Sequence, residues 1–361
     1  MRRHGINYDT GFTPIGEEIS RQDFDPGVVR REMRIIADEL HCDAVRVSGG
    51  DPDRLSTAAE AAAAAGLEVW FAPFPCGLRP DALHDVLLDC ADRAEAVRRT
   101  GAETVYVTGC EITLFNHGFF AGATLFERMA VLKGAAGGDR RALYTEAMEK
   151  LGGFLRETVE AVRPRFGGRL SYASGPWERI DWTPFDIVGV DAYRAAHNEQ
   201  HFREEVRGHL AHGKPVVATE FGCCTYRGAG LRGGTGWTIV DEQAQPPALD
   251  GEYTRDEGEQ VRYFDELLTV FEEEGFDAAF WFSFAGYGAP HRPDDPRHDL
   301  DMAAYGVVKM LDAPVLGGSA ARGTAPGGSA AGAPDSPYAG LGWEPKEVFH
   351  AMAARYGRSV T

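Results

Sequence analysis

Short apolar runs alternate along this chain with longer stretches whose apolar residues recur every three or four positions. The first run is Gly5-Ile6-Asn7-Tyr8, and the next stretch predicts a helix from about Pro26 to Leu40. There Val29, Met33, Ile36 and Leu40 share a face, Pro26 suits the first turn and Asp25 the cap before it. A second strand spans 43–48, and an alanine-rich helix runs to Ala65 and stops at Gly66. A third strand, 67–72, ends at Pro73 and Pro75; a helix from Pro80 to Arg99 then leads to a fourth strand closing at Glu111. The alternation continues with a helix over about 140–162 and strands at 169–173 and 186–191. A helix from 199 to 212 precedes a seventh strand that closes at Glu220. Val261, Phe264, Leu268 and Phe271 line one side of a helix over 255–274. An eighth strand follows at 277–283, and a last helix at 344–356 aligns Val348, Met352 and Tyr356.

Eight strand signals with helices between them predict an α/β fold, a single (β/α)8 barrel. The stretch Ser174 to Trp182, between the fifth and sixth strands, has little room for a full helix. The competing fold is an open doubly wound sheet, but no GxGxxG follows the first strand. The expected organisation is a barrel core over 1–312, a flexible Gly/Ala/Pro-rich loop over 313–337 and a closing helix within 338–361. Thr225 to Gly251 is long for a barrel connection and follows Glu220 directly, as substrate walls and lids do.

Composition narrows the function classes. At 361 residues with 43% apolar and 25% charged side chains, the chain can bury a large core without staples. A net charge of -18 argues against a nucleic-acid partner, which needs a basic face. No apolar stretch reaches the roughly 18 residues of a membrane span. Met1-Arg2-Arg3-His4 opens without a signal-like apolar run, and the six cysteines have no scaffold spacing; both lead us to expect a reducing cytoplasm. Cys76, Cys110, Cys223 and Cys224 fall near strand ends but match no zinc spacing, and His291 to Asp301 lacks calcium-loop spacing. There is no HxH after the first strand, no P-loop and no GxSxG elbow, so neither a metal nor an organic cofactor is expected.

The candidate chemistry sits at two strand ends. Glu111 and Glu220 close the fourth and seventh strands, which lie across the mouth of a closed barrel from each other. Two facing carboxylates can break a glycosidic bond, one donating a proton and the other attacking the anomeric carbon or activating water. This pattern, over about His4 to Ser283, resembles the clan A retaining glycoside hydrolases. The resemblance implies Glu111 as acid/base and Glu220 as nucleophile. It implies Arg46 and Tyr193 as donors to Glu220, and Trp281 as a sugar-stacking ring. Those glycosidases usually carry Asn before the acid/base, where its amide binds the substrate 2-hydroxyl; here that residue is Cys110, a weak donor. Asn7 and Asn116 are candidates to substitute for it, and Trp177, Trp182 and Trp237 are rim-loop aromatics suited to a sugar face. The expected partner is a small soluble glycoside or oligosaccharide. Segments such as Cys223-Cys-Thr-Tyr-Arg-Gly228 and His298-Asp-Leu-Asp-Met302 are also similar to actinobacterial proteins labelled abortive infection proteins. Two other functions stay open: a barrel with altered chemistry, such as a transglycosidase or biosynthetic lyase, and a non-catalytic phage-defence or binding protein.

Overall fold

The computed structural model describes residues 1–16, 18–134, 139–312 and 337–357. Eight parallel strands form one sheet: β1 (Arg3–Asp9), β2 (Ala44–Gly49), β3 (Glu68–Pro73), β4 (Thr104–Cys110), β5 (Arg169–Ala173), β6 (Val188–Asp191), β7 (Val216–Phe221) and β8 (Ala278–Trp281). Their order is β5-β4-β3-β2-β1-β8-β7-β6. A bridge between Ser174 and Val190 joins the two ends, with Ser174 N–H donating to Gly189 at 3.1 Å and Asp191 N–H to Ser174 at 2.9 Å. The sheet is therefore a closed (β/α)8 barrel.

Helices α1 (Pro26–Asp38), α2 (Pro52–Ala64) and α3 (Pro80–Arg99) follow the first three strands. α1 and α2 start alike: an Asp caps two backbone N–H groups, and Pro occupies the first turn, where its missing N–H is no loss. After β4 the chain forms α4 (Ile112–Phe115) and α5 (Leu125–Lys133) before the long α6 (Arg140–Val162). The sequence pattern did not reveal these two short helices. α7 (Phe202–His209), α8 (Glu257–Glu274) and α9 (Glu347–Gly357) complete the ring. No helix intervenes between β5 and β6. A three-stranded ladder of Ala285–His291, Val308–Leu311 and Trp343–Pro345 follows β8 and was also not foreseen. The expected flexible loop over 313–337 lies, but for its last residue, outside the described residues.

Strand alternation divides the core. Ala44, Trp70, Ala72, Val105, Val107, Val217, Ala278 and Phe280 fill the barrel interior. Val45, Val69, Phe71, Tyr106, Ala279 and Trp281 face the helices in the larger core. The Trp70 and Phe280 rings meet at 5.0 Å, and a Cβ on Gly5 would lie 2.4 Å from Phe280. Below them Trp70 Nε1 donates to Glu68, which also receives Arg2 and Arg3. The bottom of the barrel is thus packed shut. Polar side chains gather at the other rim.

Candidate active site

Two β-bulges aim the side chains of that rim. Along β7, Ala218 and Glu220 pair with the adjacent Val190 and Asp191 of β6. On the other side, Ala218 and Phe221 pair with Ala279 and Trp281 of β8. Against both neighbours β7 carries one extra residue, so Thr219 and Glu220 sit between the outward-facing Ala218 and Phe221 and both reach the interior. β4 does the same against β5, where Val107 and Cys110 pair with Ser171 and Ala173. Gly109 lies in this bulge at φ 118°, a left-handed conformation natural to glycine. The extra residue brings Cys110 into the interior cluster in line with Val105 and Val107. Glu111 follows at φ 42° and ψ 40°, an uncommon conformation for a residue with a side chain, and caps α4.

Glu220 is held from β2, from β4 and from the loop after β6. Arg46 Nη1 on β2 donates to its Oε1 at 2.7 Å, and Tyr193 Oη donates to its Oε2 at 3.1 Å. The Cys110 thiol lies 3.6 Å from Oε1. Arg46 Nη1 also donates to Asn7 Oδ1 at 2.7 Å, while Asn7 Nδ2 donates to the Thr219 carbonyl at 2.9 Å. Asn7 therefore ties β1, β2 and β7 together. Arg46 is fully buried, and its Nε and Nη2 have no partner among the described residues. Burial opposes its charge, but the hydrogen-bonded Glu220 at 2.7 Å helps to offset this and hold the guanidinium protonated.

Asp191, at the end of β6, accepts from Thr219 Oγ1 at 2.8 Å and lies 3.9 Å from the Cys110 thiol. Burial and then the neighbouring Glu220 push its pKa well above the ordinary carboxylate range. Glu111 is half-buried and behaves alike: burial, then Asp191, Glu220 and Glu178, hold its pKa well up, against a smaller opposing effect of Arg46. A carboxyl whose surroundings favour its protonated form and one that accepts from a guanidinium thus share one rim. That is the division of labour a glycosidic bond requires.

No family model matches the chain, and no curated protein matches it. Solved structures do. A GH113 β-1,4-mannanase superimposes with a TM-score of 0.60 at 13% identity, covering 99% of this chain and 98% of that one. The GH113 β-mannanase from Alicyclobacillus acidocaldarius in complex with ManMIm gives 0.56 at 16% identity, with 98% and 96% covered. A β-glucuronidase from Ruminococcus gnavus in complex with N1-substituted uronic isofagomine gives 0.52 at 12% identity, covering 99% of this chain and 49% of that one. This chain therefore shares the (β/α)8 barrel fold of these solved structures. The similarity to abortive infection proteins finds no support in these comparisons.

Within this barrel, Arg46, Asn7, Cys110, Tyr193 and Glu220 are joined by direct contacts. Two expectations need correction. Trp281 is fully buried, edge-on to Phe221 at 5.5 Å and Phe264 at 5.9 Å, with Nε1 donating to the Tyr305 carbonyl. Alternation along β8 turns it toward α8, so it is no sugar platform. Asn7 offers no free amide, its Nδ2 donating to the Thr219 and Trp281 carbonyls at 2.9 and 3.3 Å, and Asn116 is buried with Nδ2 donating to the Pro75 carbonyl at 3.0 Å. The cysteines do not gather: Cys76, Cys223 and Cys224 lie apart from the one thiol of the acidic cluster, and all six are free. Trp237 packs in a rim loop, its ring 6.3 Å from that of Phe126. Cys110, Asp191 and Glu220 bring ligand atoms within 4.8 Å of one another. The Arg46 ion pair already sets a positive charge there, and burial pushes the Cys110 thiol pKa up, so these donors suit a metal cation poorly.

Sequence reasoning missed Asp191 and Glu178. Asp191 had a signal, since it ends an apolar strand as Glu111 and Glu220 do. Glu178 had none, because it lies in an irregular loop.

Proposed function

We propose that this protein is a retaining β-glycosidase acting on a small glycoside. Glu220 attacks the anomeric carbon while Glu111 protonates the departing oxygen; Glu111 then takes a proton from the water that releases the sugar. The observation that carries this reading is the contrast between the two glutamates. Glu220 accepts hydrogen bonds from Arg46 and Tyr193, whereas burial and then the nearby charges of Asp191, Glu220 and Glu178 push the Glu111 pKa up. Phe282, half-buried and 5.7 Å from the Tyr305 ring, replaces Trp281 as the candidate surface for a sugar face. The mannanases among the structural neighbours make aryl β-mannosides the first substrates to test, followed by β-glucosides, β-galactosides and β-glucuronides. Proton NMR of the earliest product should reveal the β-anomer before mutarotation. An α-anomer as first product would exclude double displacement.

Cys110 supports a second reading. It stands where the resemblance calls for an amide that holds the 2-hydroxyl, and neither nearby asparagine supplies one. An enzyme that transfers its glycosyl group to an acceptor rather than to water needs the same two glutamates. Larger glycosides accumulating in place of free sugar would favour this reading over hydrolysis.

A further inference from the structure

α4 begins directly after Glu111, whose side chain caps none of its first N–H groups. Other residues meet them. Ile112 N–H donates to Tyr172 Oη at 2.9 Å, and Thr113 N–H donates to Glu178 Oε1 at 3.1 Å. Thr113 Oγ1 donates to the same oxygen at 2.7 Å, and Tyr172 Oη donates to Glu178 Oε2 at 2.8 Å. Trp177 Nε1 completes the cluster by donating to Thr113 Oγ1 at 3.0 Å. Tyr172 and Thr113 are fully buried and Glu178 nearly so. One carboxylate from the β5–β6 loop thus receives three donors and fixes the two residues that follow the strained Glu111.

Resting on the glycosidase reading, we infer that Glu178 is the positioning residue of the acid/base Glu111, acting through the Ile112–Thr113 backbone and Tyr172 rather than by touching substrate. A left-handed turn at a residue with a side chain persists only when its surroundings over-determine it. The Glu178–Tyr172 pair supplies that constraint on the side of α4, and the Glu111 N–H bond to the Ala173 carbonyl supplies it from β5. The arrangement also has a charge consequence. Burial outweighs its hydrogen bonds and raises the Glu178 carboxyl to about 7. The charged and titratable groups around it are Glu111 from β4, Tyr172 from β5, Asp191 from β6 and Tyr144 from α6, with Arg179 next in the chain. When Glu178 ionises, its charge adds to those of Asp191 and Glu220 in holding the Glu111 proton. When it is protonated, an acceptor becomes a donor facing Tyr172, and the clamp loosens.

The test uses the full chain with Glu178→Gln and Tyr172→Phe. Glu178→Gln keeps the shape but removes the charge. The midpoint of the Glu111 carboxyl, followed by carbon NMR of glutamate-labelled protein, should fall in this variant relative to wild type. That arm needs no substrate, so it is read even if no glycoside is cleaved. With an active glycoside, both variants should lose on the order of tenfold in kcat/KM toward poor alkyl leaving groups. They should lose less than about threefold toward dinitrophenyl glycosides, which leave without protonation. An unchanged Glu111 midpoint in Glu178→Gln, or a loss independent of the leaving group, would overturn the inference and leave the Glu111–Glu220 reading intact. A glycoside panel without turnover would instead count against that reading alone.

Discussion

At the scale of single residues, the account depends on buried charge being matched. Arg46 and Glu220 form an ion pair at 2.7 Å with side-chain exposures of 0% and 10%. Taking one partner from such a pair leaves the other unpaired and costs about 3–5 kcal/mol. Arg46→Met should therefore lower the unfolding free energy by that amount, read from urea melts; a change under about 1 kcal/mol would mean that solvent, not Arg46, compensates Glu220. Strand position made Glu220 legible, since it closes an apolar strand, whereas Arg46 within β2 and Tyr193 after β6 were reached only through the resemblance. It misplaced Trp281 because a tryptophan near the end of the eighth strand has two faces to choose between. Only the register of β8 against β7 decides which one it takes.

At the scale of elements, the bulges in β4 and β7 do what the alternating pattern cannot express. Each extra residue breaks the period of two, and neither sequence stretch marks it except for Gly109. A methyl group on Gly109 would stand 2.7 Å from the Ile112 side chain, on a backbone already at positive φ. Gly109→Ala should destabilise the fold by about 1–3 kcal/mol and displace Glu111, so that activity falls more than stability explains. Equal residual activity per folded molecule, measured by titrating the folded fraction, would show that this bulge does not set the acid/base geometry. Helices α1 to α3 were readable from capping and periodicity. α4 and α5 were not, because four and nine residues give too few turns for a periodic signal.

At the scale of the whole molecule, three raised carboxyls meet at the barrel mouth. Glu111, Asp191 and Glu178 all have folded pKa values above their ordinary ones, Glu178 at about 7. Such groups bind protons more tightly folded than unfolded, so stability is present below the ordinary carboxylate range and is lost as pH rises through the folded values. The depressed carboxyls act elsewhere: Glu68 and Glu95, each held at about 2 by arginines, contribute stability above their ordinary range and lose it as pH falls toward 2. The melting temperature should therefore decline from about pH 5 to pH 8, and Glu178→Gln should flatten that decline. A rise over the same interval would show that the site carboxyls are not desolvated. The fold class was legible because eight strand signals alternate with helices around the whole barrel. The ladder of Ala285–His291, Val308–Leu311 and Trp343–Pro345 was not, since its strands are only partly buried and two of them have four and three residues.

The most direct test of the central claim is to trap the glycosyl-enzyme. A 2-deoxy-2-fluoro glycoside of a cleaved sugar, bearing a dinitrophenolate leaving group, forms the intermediate faster than it decays. Peptide mass spectrometry of the inactivated protein should find the fluorosugar on Glu220, with Glu111 unmodified. A label on any other residue, or turnover of the parent glycoside with no label at all, would contradict the assignment of Glu220 as nucleophile.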